Sequence, residues 1–202
     1  MRVGLGTGRA AAAGIAALGE RVRQGLRCAG VPTSPASERL ARLAGVPIIR
    51  LRGPLDLAFD GADAVDPAGL IVKGAGGAMV RERIVASAAR RFLVLVEGPK
   101  LVRSLDEWGL LPIAVVPFAA AWAAGRLADL QPARRPRPSD DGMALLDLRP
   151  PAGSDWREVA ARARALPGVL DHGLFEVDLQ DVLVGEPDGR VQPASALVAT
   201  RA

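Results

Sequence analysis

The stretch Asp60-Gly61-Ala62-Asp63-Ala64-Val65-Asp66-Pro67, taken with Lys73-Gly74-Ala75-Gly76-Gly77-Ala78 and then Glu82, decides how the rest of the chain reads. The apolar run Leu55-Asp56-Leu57-Ala58-Phe59 just before it predicts a short buried strand. Asp60 and Asp63 then stand at the strand's end, on a turn that contains Gly61. Lys73 and a glycine-rich loop follow, and residues 78–90 predict a helix carrying Glu82. Carboxylates, an ammonium group, backbone N–H groups and a further carboxylate are written within one short stretch. That inventory suits acid–base chemistry on a small polar molecule, most readily an anionic one.

Toward the N-terminus, residues 1–5 predict a short strand, Gly6-Thr7-Gly8 a turn and residues 9–23 an Ala-rich helix. A strand, a glycine turn and a helix N-terminus make a ready anion site. Tight packing explains such a turn just as often. Residues 25–33 predict a second strand, Pro35 opens a helix over 36–44, and 46–51 predicts a third strand. Ser34 and Ser37 read first as capping residues. Residues 92–96 predict a further buried strand. Strands alternating with helices predict an α/β fold, an open and mostly parallel Rossmann-like sheet with ligands at the carboxyl ends of its strands.

The second half reads differently. Strands are expected over 111–116, 143–148 and 169–175, with helices over 117–130 and 154–166. The Arg/Pro-rich segment 131–138 reads as an edge, with Arg134, Arg135 and Arg137 solvated there. That βαββαβ order predicts a smaller ferredoxin-like α+β domain. Residues 178–184 should return to the first sheet, with 186–189 a turn. The expected division is therefore 1–105 plus 177–202 for the Rossmann-like catalytic domain and 106–176 for the small one.

Each candidate residue has a plainer explanation to weigh. Asp60 and Asp63 stabilise turns through their own backbone, but Lys73 and the glycine loop following them favour function. Asp66 precedes Pro67 and reads as a turn former. The loop 74–77 opens directly into a helix, so its N–H groups and the helix dipole suit an oxyanion. Glu82 lies early in that helix, where a carboxylate is favoured anyway. Its helical neighbours Ala78, Val85 and Ala89 are small and apolar, while Arg81, Arg83, Arg90 and Arg91 read as solvated. An apolar setting favours the neutral carboxyl, which suits a general base.

The 202 residues are half hydrophobic, which predicts a folded globular protein. No apolar run reaches the ~18 residues of a membrane span, and residues 1–6 lack a signal-peptide layout. The single cysteine, Cys28, excludes an intrachain disulfide and points to a reducing cytoplasm. It reads as a buried inert thiol. One cysteine and one histidine, His172, supply no metal cluster, and the carboxylates lack calcium-loop spacing. The net charge of +4 raises nucleic acid as a partner, but the basic residues are dispersed and only 3% of the chain is aromatic. Of 26 basic residues, all but Lys73 and Lys100 are arginine. A compact ammonium whose pKa shifts is not replaced by a guanidinium, and both lysines fall in or next to the candidate site.

The run DGADAVDPAGLIVKGAGGAMVRERIVASAARRFLVLVEGPKLV, from Asp60 onward, resembles the central signature of the type A ribose-5-phosphate isomerase family. GLGTGRAAA near the start, LPIAVVPFA and LPGVLDHGLFEV extend the resemblance over nearly the whole chain. It implies an aldose–ketose isomerase of the pentose phosphate pathway, without cofactor or metal, acting through an enediolate. It implies Glu82 as the proton-shuttling base, Asp60 and Asp63 as holders of hydroxyls, and Lys73 with Gly74, Ala75 and Gly76 as oxyanion stabilisers. Thr7, Gly8, Arg9, Ala10 and Lys100 would hold the phosphate, with Gly61 and Ala62 in the substrate turn. A homodimer or homotetramer is implied, with a sugar phosphate as the partner and neither nucleic acid nor membrane.

The family usually writes Gly-Thr-Gly-Ser-Thr at the first loop. Here Arg9 and Ala10 replace the hydroxyl pair. Glu97 stands for an aspartate, and Pro99 removes a hydroxyl and an N–H next to Lys100. The family also carries a helix before the first strand, so either a truncated start or a domain without that cover is expected. These departures leave a second reading open, a sugar-phosphate-binding paralogue with lost or altered activity.

Overall fold

The structure, a computed structural model, describes residues 1–199. In chain order its elements begin β1 (Arg2–Leu5), α1 (Arg9–Arg23), β2 (Ala29–Pro32), α2 (Pro35–Leu43), β3 (Leu57–Gly61), β4 (Ala64–Val65) and β5 (Leu70–Val72). They continue α3 (Met79–Ala88), β6 (Phe92–Glu97), β7 (Leu111–Val115), α4 (Ala120–Arg126), β8 (Ala133–Arg134) and β9 (Ala144–Leu148). The last are α5 (Trp156–Arg164), β10 (Val169–His172), β11 (Leu174–Glu176), β12 (Val182–Gly185), β13 (Val191–Pro193) and α6 (Ala194–Ala199). The chain divides into two compact units: one of Met1–Gly61, Arg81–Gly98 and the chain from Asp178 onward, the other of Ala62–Val80 and Pro99–Val177. No helix among the described residues is long and apolar enough to cross a membrane.

The first unit is built on a six-stranded sheet of order β13-β12-β6-β3-β1-β2. Its pairings are parallel except for β13 against β12. This is the open, mostly parallel sheet that the strand–helix alternation predicts. Val3, Leu5, Ile15, Ala41, Val46 and Phe59 form one apolar cluster, and Val31, Leu55, Ala58 and Val85 another. Gly4 lets β1 come close to α3, because a Cβ there would lie 2.4 Å from Val85 Cγ1.

Several expectations for this unit are corrected. The strand expected from residue 25 begins at Ala29, because Gly25 (φ +102°) ends α1. Its N–H donates to Val22 and that of Leu26 to Arg21, which satisfies carbonyls at the helix end. The strand expected over 46–51 is a single bridge, Gly30 to Ile48. Pro47 accepts from Gly30 but has no N–H to extend a ladder. Cys28, expected buried, is half-buried.

The second unit holds an antiparallel sheet of order β10-β7-β9-β8. Numbered within the βαββαβ run this is 4-1-3-2, the ferredoxin-like arrangement expected from the sequence. Its core includes Leu111, Ile113, Val115, Leu127, Leu146, Leu148 and Trp156. A three-stranded sheet of order β11-β5-β4 completes the unit. The strand expected over 169–175 is two strands in two sheets. His172 pairs with Ile113 in the larger sheet and Leu174 with Val72 in the smaller. Gly173 makes the change: its N–H donates to Pro112 O at 2.7 Å and its carbonyl accepts from Lys73 N at 2.8 Å. A Cβ on Gly173 would lie 2.1 Å from Lys73 O, so only glycine fits there.

Candidate active site

In the first unit, Asp60 lies on β3 one residue from its carboxyl end and is 3% exposed. A buried carboxylate is costly unless donors surround it. Asp60 Oδ1 accepts from Thr7 N at 2.9 Å and from Gly61 N at 2.7 Å. Gly6 N–H donates to Phe59 O at 2.9 Å and brings the turn after β1 against β3. The approach is so close that a Cβ on Gly6 would lie 2.2 Å from Asp60 Oδ1 and 2.6 Å from Asp60 Cα.

Gly8 then caps α1 with φ +102°, and neither a side-chain cap nor an acidic residue serves that helix end. Its first N–H groups and the helix dipole favour an anion there. Thr7 Oγ1 lies 2.8 Å from Thr33 Oγ1 and donates to Ser34 Oγ at 2.8 Å. Ser34 also caps α2 in a reciprocal capping box with Ser37, as its position before Pro35 predicts. Thr33 was not legible as a site residue. It follows β2, which pairs with β1 in register Leu5 to Pro32, and that pairing sets it beside the first loop. Ala10 is half-buried, and Arg9 is exposed with its Nη2 3.8 Å from Glu97 Oε2. Two of the positions that depart from the family text therefore face each other, through a solvated contact of small worth.

Glu82 lies on α3 and is 6% exposed. Val85, one turn further along the same helix, packs with Val31, Leu55 and Ala58. Arg81 and Arg83 are half-buried rather than solvated.

In the second unit, Asp63 donates its N–H to Val72 O at 2.7 Å. Its Oδ2 accepts from Ala75 N at 2.9 Å, which ties the carboxylate to the glycine loop. Asp66 accepts from Ala68 and Leu70 N–H groups and shapes its turn, as expected. Lys73 is 3% exposed and anchored through its N–H on Gly173. Gly74 (φ +102°) and Gly77 (φ +85°) bound a turn closed by Gly77 N–H on Gly74 O at 3.1 Å. Ala75 and Gly76 are exposed at its tip, and Ala62 is half-buried. Lys100 places its Nζ 5.5 Å from the centre of the Trp108 ring.

Arg135 is the residue that the sequence hid. Expected as a solvated edge residue, it is only 18% exposed and donates to the carbonyls of Gly74 and Ala75. Its neighbours Arg134 and Arg137 are exposed, as expected. Among the described residues no group of three His, Cys, Asp or Glu side chains has the arrangement of a metal site.

The fold and the chemistry of these side chains define a class, an α/β enzyme of the acid–base type. The sequence model of the ribose 5-phosphate isomerase A (phosphoriboisomerase A) family matches residues 29–189. The chain is 44% identical to the ribose-5-phosphate isomerase A of Thermomicrobium roseum, over 94% of this chain and 84% of that protein. It is 40% identical to the same-named protein of Deinococcus radiodurans, over 93% of this chain and 88% of that one. Among solved structures it resembles ribose 5-phosphate isomerase A of Methanocaldococcus jannaschii, with a TM-score of 0.87 and 33% identity over 96% of this chain and 91% of that one. A D-ribose-5-phosphate isomerase in complex with phospho-erythronic acid superposes with a TM-score of 0.87 and 33% identity, over 95% of this chain and 89% of that one. The chain belongs to the ribose 5-phosphate isomerase A family.

Gly6→Ala tests how Asp60 is seated. The added methyl meets the Asp60 backbone, which cannot rotate away, so a stability loss of about 1–3 kcal/mol is expected for overpacking, with loss of isomerase activity. Wild-type stability and rate in that variant would show that the close approach is unimportant.

Proposed function

We propose that this chain interconverts D-ribose 5-phosphate and D-ribulose 5-phosphate, an aldose–ketose isomerisation through an enediolate. Membership of the family over 29–189 carries the reading, because that span includes Asp60, Asp63, Lys73, Glu82 and Lys100. The sugar opens, loses a proton from C2 and regains one at C1. Glu82 is the base that takes and returns that proton, and its burial supports the role. Asp60 and Asp63 hold hydroxyls and assist ring opening. Gly61 and Ala62 form the turn that carries them. Lys73 and the N–H groups of Gly74, Ala75 and Gly76 stabilise the negative oxygen of the enediolate.

Thr7, Gly8 and Ala10 bind phosphate at the start of α1, and Lys100 adds a second positive charge. Arg9 adds a charge at a loop that lacks two of the family's hydroxyls, with its exposed guanidinium free to leave Glu97. The salt dependence of KM should fall in Arg9→Ser, since a charge pair is screened more than a neutral hydrogen bond. The chemistry needs no metal or cofactor. The proposed setting is the cytoplasm, as a homodimer or homotetramer. Phe118, 99% exposed, and Trp122, 48% exposed, support self-association, which sedimentation would contradict by returning a monomer.

The experiment is a coupled isomerase assay on wild type and Glu82→Gln. Glutamine keeps the shape but takes no proton, so kcat should fall by roughly 10²-fold or more while KM changes little. Near wild-type kcat in the variant would remove Glu82 from the role. An inactive wild type that still binds ribose 5-phosphate would favour the non-catalytic paralogue.

A further inference from the structure

Beyond β8, Arg135 continues the ladder: its N–H donates to Leu145 O on β9 at 2.9 Å. Leu145 and Asp147 are two apart on β9 and share a face of the sheet. Leu145 packs with Met79, and Met79 lies under Gly74, where a Cβ would meet its Cγ at 2.7 Å. The same face thus supports the glycine loop from below and presents Asp147 beside it.

Asp147 takes one edge of the Arg135 guanidinium. Nε donates to Asp147 Oδ2 at 2.8 Å and Nη2 to Oδ1 at 2.6 Å, a bidentate pair with both side chains under one-fifth exposed. Nη1 is left to face the loop. It donates to Gly74 O at 2.7 Å and to Ala75 O at 3.2 Å. A planar fork serves a carboxylate and two carbonyls at once, which an ammonium on a flexible stem does not.

The consequence lies on the other side of the two peptides. Among the described residues no peptide bond is cis, and a trans peptide points its C=O and N–H in opposite directions. The peptide joining Gly74 to Ala75 is held at both ends, its oxygen by Arg135 and its N–H by Asp63 Oδ2 at 2.9 Å. The next peptide has its oxygen on Arg135 as well, so the Gly76 N–H is turned away from the guanidinium, toward the side that Asp63 occupies. Among the described residues the Gly76 N–H donates to no group. Glycine permits many backbone states, and a reversed peptide at this loop would present a carbonyl where the oxyanion needs a donor. Donors fixed in advance cost no reorganisation when charge develops.

We propose that Arg135, seated by Asp147, is a positioning residue that fixes the 74–77 loop with the Gly76 N–H presented to the enediolate oxygen. This rests on the oxyanion reading of that loop given above. The test uses the full chain as wild type, Arg135→Gln, Arg135→Lys and Asp147→Asn. Each is measured for kcat and KM with ribose 5-phosphate, and for inhibition by phospho-erythronic acid and by inorganic phosphate. The carboxylate of phospho-erythronic acid stands in for the enediolate oxygens, whereas inorganic phosphate reports only the phosphate loop. In Arg135→Gln, kcat should fall by ~10–10²-fold, at or below the roughly 10²–10³-fold cost of losing one oxyanion donor outright, and phospho-erythronic acid should weaken by a similar factor. KM and phosphate inhibition should stay within about threefold, as expected when uniform binding is untouched. Arg135→Lys should recover little, and Asp147→Asn should show the same split at smaller size. If Arg135→Gln does not fold, the split in Asp147→Asn decides. Unchanged kcat in folded variants, or an equal loss for all three ligands, would overturn the proposal. A wild type without isomerase activity would overturn the function itself, which the same assay reads separately.

Discussion

A buried charge has to be held by hydrogen bonds or opposite charge, and this constraint governs the chain from its first strand onward. Asp60, Lys73 and Glu82 are each under one-tenth exposed. The backbone is arranged around that fact. Gly6 carries no side chain, so the turn after β1 can bring the Thr7 N–H to Asp60. Gly173 carries none either, so the backbone N–H of Lys73 can dock on its carbonyl at the point where the chain changes sheets. These glycines are spacers that let polar groups meet at hydrogen-bond distance inside a packed interior.

Much of the fold was legible because it repeats locally. Short apolar runs alternating with helical runs are a parallel sheet written in sequence, and β1, β3 and β6 fall where those runs lie. What failed to show was decided by partners distant in sequence. The apolar run 169–175 looks continuous, yet Gly173 divides it between two sheets because Pro112 and Lys73 take its backbone groups. The run over 46–51 looks like a strand, but Pro47 cannot donate. For the site, Asp60, Asp63, Lys73 and Glu82 stood out through their clustering. Arg135 did not, since an Arg/Pro-rich segment reads as solvent-facing and its carbonyl partners lie some 60 residues away. Thr33 was equally silent, being placed by strand register rather than by motif.

The sparing use of lysine fits the local environments. Lys73 is buried, where a compact ammonium on a flexible stem fits more readily than a planar fork. Lys100 sits over the Trp108 ring. Where a planar fork is wanted, at the paired carbonyls of Gly74 and Ala75, the chain uses Arg135. The departures at Arg9 and Glu97 lie on the exposed rim of the first loop and leave the Thr7–Asp60 contact intact. Neither the fold nor the buried residues favour a chain that has lost its chemistry.

In the proposed reaction one buried carboxylate, Glu82, moves a proton between C2 and C1. Isomerisation of ribose 5-phosphate in deuterium oxide, followed by NMR of the product, tests it most directly. Proton transfer through a base that exchanges with solvent predicts deuterium at C1 of the ribulose 5-phosphate formed by wild type, and no measurable exchange by Glu82→Gln. Exchange by Glu82→Gln at the wild-type rate would contradict the account.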